Sequence, residues 1–175
     1  MKKIYFLLLL FLAGCANSDG TSTGNPVVAI QFASYASLKA MEADTQSVSS
    51  LKMCFKRLRF KPVSGIADNI DLSLGEVTVV NSGTLVTTVT VPVGIYSRVE
   101  FDLDTHCVSG RSVQLVNSNG SFTSVDTITI RFDGTLILTA SQNLDLNIQS
   151  IVNALDTATS DGDIKLKAES VSGSF

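Results

Sequence analysis

The side chains best suited to chemistry cluster around one stretch: Asp102, Asp104, His106 and Cys107, with a second cysteine, Cys54, far upstream. A cysteine nucleophile needs a base to take its proton and a third group to orient that base. Here Cys107 would attack, His106 would act as base, and Asp104 or Asp102 would orient the ring. Neighbouring residues on a strand point to opposite faces, so His106 and Cys107 meet only if the chain turns between them. His106 is the one histidine in 175 residues, which removes multi-histidine metal sites and leaves a serine hydrolase no second base. Neither a Gly-x-Ser-x-Gly elbow nor a His-Glu-x-x-His zinc helix occurs.

Carboxylates offer a different chemistry. Asp102 and Asp104 share a strand face, Asp68 and Asp71 flank a short strand, and Asp161-Gly162-Asp163 is an acidic turn. Hard oxygen donors of this kind suit calcium, and Asp102 with Asp104 is the candidate pair. No loop has the fixed ligand spacing of a known calcium motif, so solvated acids are the expectation and no cofactor is assigned. The basic residues Lys52, Lys56, Arg57, Arg59 and Lys61 form a single cluster that could meet phosphates or acidic glycans. The simpler reading pairs Arg57 and Arg59 with Glu100 and Asp102 of a neighbouring strand.

The positioning elements begin with a leader. Lys2 and Lys3 precede an apolar run from Ile4 to Leu12, which is too short to span a bilayer as a helix. The run ends in Leu12-Ala13-Gly14-Cys15, which resembles the lipobox of bacterial lipoproteins. That resemblance implies cleavage before Cys15, diacylglyceryl modification of its thiol with palmitate-type chains, and, with Ala16 following, sorting to the outer membrane, on its periplasmic or cell-surface face. The expected division is a signal peptide over 1–14, a flexible tether over 15–25 rich in Ser, Asn, Gly and Thr, and one domain over 26–175. Loss of the leader takes 14 of the 175 residues and two of the 13 basic groups against 16 acidic ones, moving the formal charge from −3 to −5. An acidic mature chain argues against nucleic acid or anionic lipid as a general partner, since both need a basic footprint. Cys54 and Cys107 are then an even pair in an exported chain, expected to form a disulfide whose loop closure is worth roughly 4 kcal/mol.

The rest is valine, threonine and isoleucine in short runs punctuated by glycine and asparagine, the pattern of an antiparallel all-β domain. Strands are expected at 27–32, 53–60, 70–74, 76–80, 84–91, 96–104, 112–116, 127–132 and 135–139, with a weak helix over 38–43. Turns are expected at Asn81-Ser82-Gly83, at Asn117-Ser118-Asn119-Gly120, and at Asp133-Gly134, the last as a two-residue hairpin pairing Phe132 with Thr135 and Ile130 with Ile137. Lys56 breaks the alternation between Cys54 and Leu58, which predicts a bulge. Leu144, Leu146 and Ile148 keep strand period, then Ile148, Ile151, Val152 and Leu155 switch to helical spacing with Asn147 as cap. Residues 164–168 alternate and are expected to form an edge strand protected by lysines.

Val91-Pro92-Val93-Gly94-Ile95-Tyr96, followed by Val99-Glu100-Phe101, resembles a segment of a bacterial lipoprotein family of unknown function thought to adopt a transthyretin-like or immunoglobulin-like β-sandwich. Cys54-Phe55-Lys56-Arg57-Leu58-Arg59-Phe60, Ile70-Asp71-Leu72 and Leu144-Asp145-Leu146 fit in order, and the Gly24-Asn25-Pro26 exit from the tether is similar to lipoproteins of predatory and related bacteria. The resemblance implies a β-sandwich and an envelope location, and no activity; with the residue pattern, the expected fold is an antiparallel all-β sandwich with one short C-terminal helix. The expected function is a non-enzymatic structural or interaction module of the cell envelope, held by its N-terminal lipid, with an envelope protein or glycan as partner. The alternative is a calcium- or glycan-binding sandwich.

Overall fold

The structure, a computed structural model, describes residues 24–35, 48–65, 69–71 and 74–175. Cys15, the leader, the 38–43 helix and Asp68 lie outside the described residues.

The chain runs β1 (Val27–Phe32), β2 (Ser50–Pro62), β3 (Asn69–Asp71), β4 (Glu76–Thr78), β5 (Thr84–Thr90), β6 (Gly94–Leu103), β7 (Val113–Asn117), β8 (Gly120–Ser124), β9 (Ile128–Leu138), β10 (Gln142–Leu146), α1 (Gln149–Asp156), α2 (Asp163–Glu169) and β11 (Gly173–Ser174). Two open sheets result. One has the order β10-β1-β5, with β1 parallel to β10; the other runs β11-β9-β6-β2-β7-β8, with β3 and β4 also on β2. The alternating residues of β1, β2, β6 and β9 meet between the sheets, where Phe32 of the smaller sheet packs against Phe55, Phe101 and Phe132 of the larger at centroid separations of 5.8–6.2 Å. Such aromatic burial is the largest single apolar contribution per residue available to a core of this size.

β2 is long because it serves two neighbourhoods. Its first half pairs with β7 and β4, its second half with β6 and β3. The switch falls at three consecutive buried residues, Met53, Cys54 and Phe55, and the register with β6 slips between Phe55 and Arg57, so the bulge predicted at Lys56 is present.

Two expected elements are replaced by others. Asp133-Gly134 makes no hairpin: β9 continues through it with a register slip against β6 between Tyr96 and Arg98, and Phe132 pairs with Val99, Ile130 with Phe101 and Ile137 with Ile95. The glycine is needed for a different reason, since a Cβ there would lie 2.5 Å from the carbonyl oxygen of Phe175. Residues 164–168 are helical, within α2, and form no edge strand. Ile164 and Ala168, four apart, are buried while Leu166 is exposed. Five residues cannot separate a period of two from one of 3.6, and Leu, Lys, Ala and Glu all favour helix. Asp163 secures the start by accepting from the Thr159 amide and hydroxyl, both at 2.9 Å. The sandwich therefore carries two helices instead of one. β8 was not expected, although its turn was: Asn117 Oδ1 accepts from the amides of Asn119 and Gly120. The Asn81-Ser82-Gly83 turn is also present, with Gly83 at φ +102°. α1 forms over the predicted stretch, and Asn147 Oδ1 accepts the Gln149 amide at 3.0 Å.

Candidate functional site

Cys54 lies where β2 changes partners. Its amide donates to the Ser112 carbonyl and its own carbonyl accepts from Asp104, so the backbone is held from both sides. β6 ends at Leu103, and the chain then turns through 104–111, closed by the Gly110 amide on the Cys107 carbonyl with Gly110 at φ +64°. That turn carries Cys107 back over Cys54, and the two form a disulfide with Cα atoms 5.9 Å apart. Cys54 is fully buried and Cys107 nearly so. The Cys107 amide donates to Cys54 Sγ at 3.1 Å.

The same turn brings together the residues that strand alternation would have kept apart. The His106 amide donates to Asp104 Oδ1 at 3.0 Å, and His106 Nδ1 contacts the same oxygen. Nδ1 also lies 3.3 Å from Cys54 Sγ, while Nε2 faces the Leu74 carbonyl at 3.2 Å. Lys56, displaced outward by the bulge, reaches Asp104 Oδ2 at 2.7 Å. Burial of Asp104 would raise its pKa, but the hydrogen bonds from Lys56 and from the His106 amide and ring outweigh it and hold the carboxyl at about 2.

This is the geometry of a base and its orienter, without a free nucleophile. Both sulfurs are joined to each other, and a cystine sulfur offers neither a thiolate for attack nor a lone thiolate for a metal. The Cys54, His106 and Cys107 donor atoms all lie within 4.8 Å of one another, yet only the imidazole is available to a ligand.

The described calcium candidates are each engaged within the fold, some by cations and some by amide or hydroxyl donors. Asp102 is gripped by Arg59 through two hydrogen bonds of 2.7 Å and receives a third from Thr129 at 2.8 Å. Asp71 pairs with Arg57 at 3.2 Å, Asp161 accepts the Thr123 amide, and Asp163 accepts the Thr159 amide and hydroxyl. The basic cluster is neutralised in the same way. Lys52 pairs with Glu76, Lys56 with Asp104, Arg57 with Asp71, Arg59 with Glu100 and Asp102, and Lys61 with Glu100. Only half of the expected pairing appears: Arg59 takes both Glu100 and Asp102, and Arg57, although opposite Asp102 in register, turns to Asp71 on β3.

Clefts of about 220, 210 and 420 Å³ open elsewhere, and neither His106 nor Asp104 lines them. A further surface feature involves no chemically reactive side chain. Val63, Val93, Ile95 and Ile137 are all more than half exposed, and they gather at one end of the larger sheet. Of the four only Ile137 falls in an expected strand, and periodicity does not tell which face is covered.

Comparison with known proteins adds no relative: no protein-family model, curated protein or solved structure matches the chain.

Proposed function

We propose that this protein is a lipid-anchored, exported lipoprotein of the bacterial outer membrane, acting as a non-enzymatic structural or interaction module of the envelope. The observation that carries the reading is the use to which the reactive side chains are put. Cys54 and Cys107 close a 53-residue loop, and Asp104 and Asp102 are committed to Lys56 and Arg59. Groups that could catalyse instead tie the end of β6 to the middle of β2, which gives a rigid platform for exposed turns such as 117–120.

Among the described residues no helix is long and apolar enough to cross a membrane, and a Cys15 lipid would supply the attachment. The transthyretin-like or immunoglobulin-like assignment has support in the β5–β6 corner. There the chain passes between sheets and Tyr96, at the start of β6, donates its hydroxyl to the Pro92 carbonyl at 2.7 Å. A tyrosine bonded back to the backbone just upstream is a corner device of immunoglobulin-like sandwiches. The parallel pairing of β1 with the late strand β10 fits the same architecture.

Complementation tests the reading. A strain lacking the protein receives the wild type, Cys15→Ser, His106→Ala, Asp104→Ala or a replacement of turn 117–120, and fitness is measured by competition under envelope stress. The expected result is full rescue by the His106 and Asp104 variants and none by Cys15→Ser. A folded His106→Ala protein that fails to rescue would overturn the non-enzymatic reading.

A further inference from the structure

One end of the sandwich gathers the start of β1, the end of β5, the start of β6, the ends of β2 and β9, and the start of β10. Pro26 is fixed there, its carbonyl accepting the Val91 amide at 3.0 Å, and the Val27 amide donates to Ser141 Oγ at 2.9 Å. The chain from Cys15 therefore joins the domain at this end.

The same end is apolar on its outer surface. Ile95 and Ile137 face each other across β6 and β9, and the Val63 amide donates to the Ile95 carbonyl at 2.9 Å, so three adjoining segments present Val63, Ile95 and Ile137 in a row. Val93 stands at the head of β6. Their exposures are 66%, 51%, 62% and 62% for Val63, Ile95, Ile137 and Val93. Single exposed apolar residues are ordinary, whereas a contiguous group marks a surface that is covered in use. Farther along the same strands the outer face turns to ions: Lys61, Arg98 and Asp133, then Arg59, Glu100 and Asp102. The sheet face is thus divided along its length, apolar where the chain arrives and charged beyond.

What covers the apolar end follows from the tether. Ten residues, 16–25, separate Cys15 from Pro26. A flexible chain of that length has a root-mean-square span of roughly 17 Å and a limit of about 35 Å. With Cys15 acylated, the end carrying Val63, Val93, Ile95 and Ile137 is the one kept within that reach of the bilayer, while the His106 loop lies eight residues of β6 away, about 26 Å along the strand.

We propose that this end is a membrane-contacting surface, with Val63, Val93, Ile95 and Ile137 seated in the interfacial layer of the lipid and Lys61 and Arg98 at headgroup level. The proposal rests on lipidation at Cys15. The bilayer then orients the domain, and the loop at 104–111 is presented outward.

The chain has no tryptophan, so one can be placed as a reporter. Lipidated Ile137→Trp and Val108→Trp proteins are reconstituted into phosphatidylethanolamine/phosphatidylglycerol vesicles with and without brominated acyl chains, and flotation is measured on the same samples. Val108, at the far end, is fully exposed. The expected result is flotation of both proteins, at least twofold quenching with a blue shift for Ile137→Trp, and no quenching for Val108→Trp. A second Ile137→Trp protein carrying Ile95→Ser should lose most of the quenching while still floating. Flotation with an unquenched Ile137→Trp overturns the proposal and leaves the anchor standing. Failure to float overturns the anchor and the proposal with it. A blue shift without vesicles, accompanied by a dimer mass, assigns the face to a second copy of the chain and also overturns the proposal.

Discussion

Replacing Arg59 with methionine should destabilise the domain more than any other single change on the outer face of the larger sheet. The guanidinium donates two 2.7 Å hydrogen bonds to Asp102 and a 3.1 Å hydrogen bond to Glu100. The side chains of Asp102 and Glu100 are only 12% and 10% exposed, and that of Arg59 is 20% exposed. Removing one partner of a buried ion pair costs about 3–5 kcal/mol, because the remaining charge stays desolvated and uncompensated. Glu100 would keep Lys61 at 3.7 Å and Arg98 at 3.6 Å, but Asp102 would keep only the Thr129 hydroxyl. The partial exposure of Arg59 and the retained cations at Glu100 place the loss near the lower figure, about 3 kcal/mol. Equilibrium urea unfolding with the disulfide intact measures it, and Arg59→Met/Asp102→Asn should recover at least about 1 kcal/mol of it by removing the orphaned charge. A loss below about 1 kcal/mol for the single variant, or no recovery in the double, would refute the argument that this pair is desolvated and mutually dependent.

Cys54→Ala/Cys107→Ala should lower stability by about 4 kcal/mol from the loop of 53 residues, with a larger urea dependence as the denatured chain expands; a loss under about 1 kcal/mol, or two titratable thiols in the exported wild type, would contradict it. Asp104 has its folded pKa depressed to about 2, so its contribution is present above the unfolded value of about 3.9 and is lost as pH falls through about 2. Allowing for solvent screening it is worth about 1 kcal/mol, and Asp104→Asn should flatten acid unfolding curves over that window. Asp156 is the reverse case, with desolvation raising its pKa and Oδ1 buried without a hydrogen-bond partner. Its contribution is full below the unfolded value and lost as pH rises through the folded one, so Asp156→Asn should stabilise the domain by about 1 kcal/mol near neutrality and leave acid stability unchanged; unchanged melting at pH 7 would argue against the burial.

The sequence made most strands legible because their alternation is strong. β1 falls at its predicted bounds, and the slip at Lys56 was visible as a broken period. At Gly134 a local turn signal carries its commonest meaning while a distant contact decides the outcome, whereas residues 164–168 are too few to separate the two periods. Gly134 sits where Phe175 crosses β9, 41 residues later in the chain, and Gly173 is required because a Cβ would lie 2.4 Å from the Phe132 ring. No turn statistic contains either contact. The candidate site was legible as residue types and as a cysteine pair. The apposition of His106 with Asp104 and Cys54 was not, because it depends on how the chain leaves β6. Arg57 illustrates the same limit, since its register partner is Asp102 but β3 brings Asp71 closer.

The most direct test of the account is the mass of the mature N-terminus. Intact-protein and peptide mass spectrometry of the protein purified from membranes should find the chain beginning at Cys15 with a diacylglyceryl-modified thiol, and Cys15→Ser should move it to the soluble fraction. An unmodified wild-type chain recovered without membranes would contradict the lipid anchor, and with it the placement of this sandwich on the envelope.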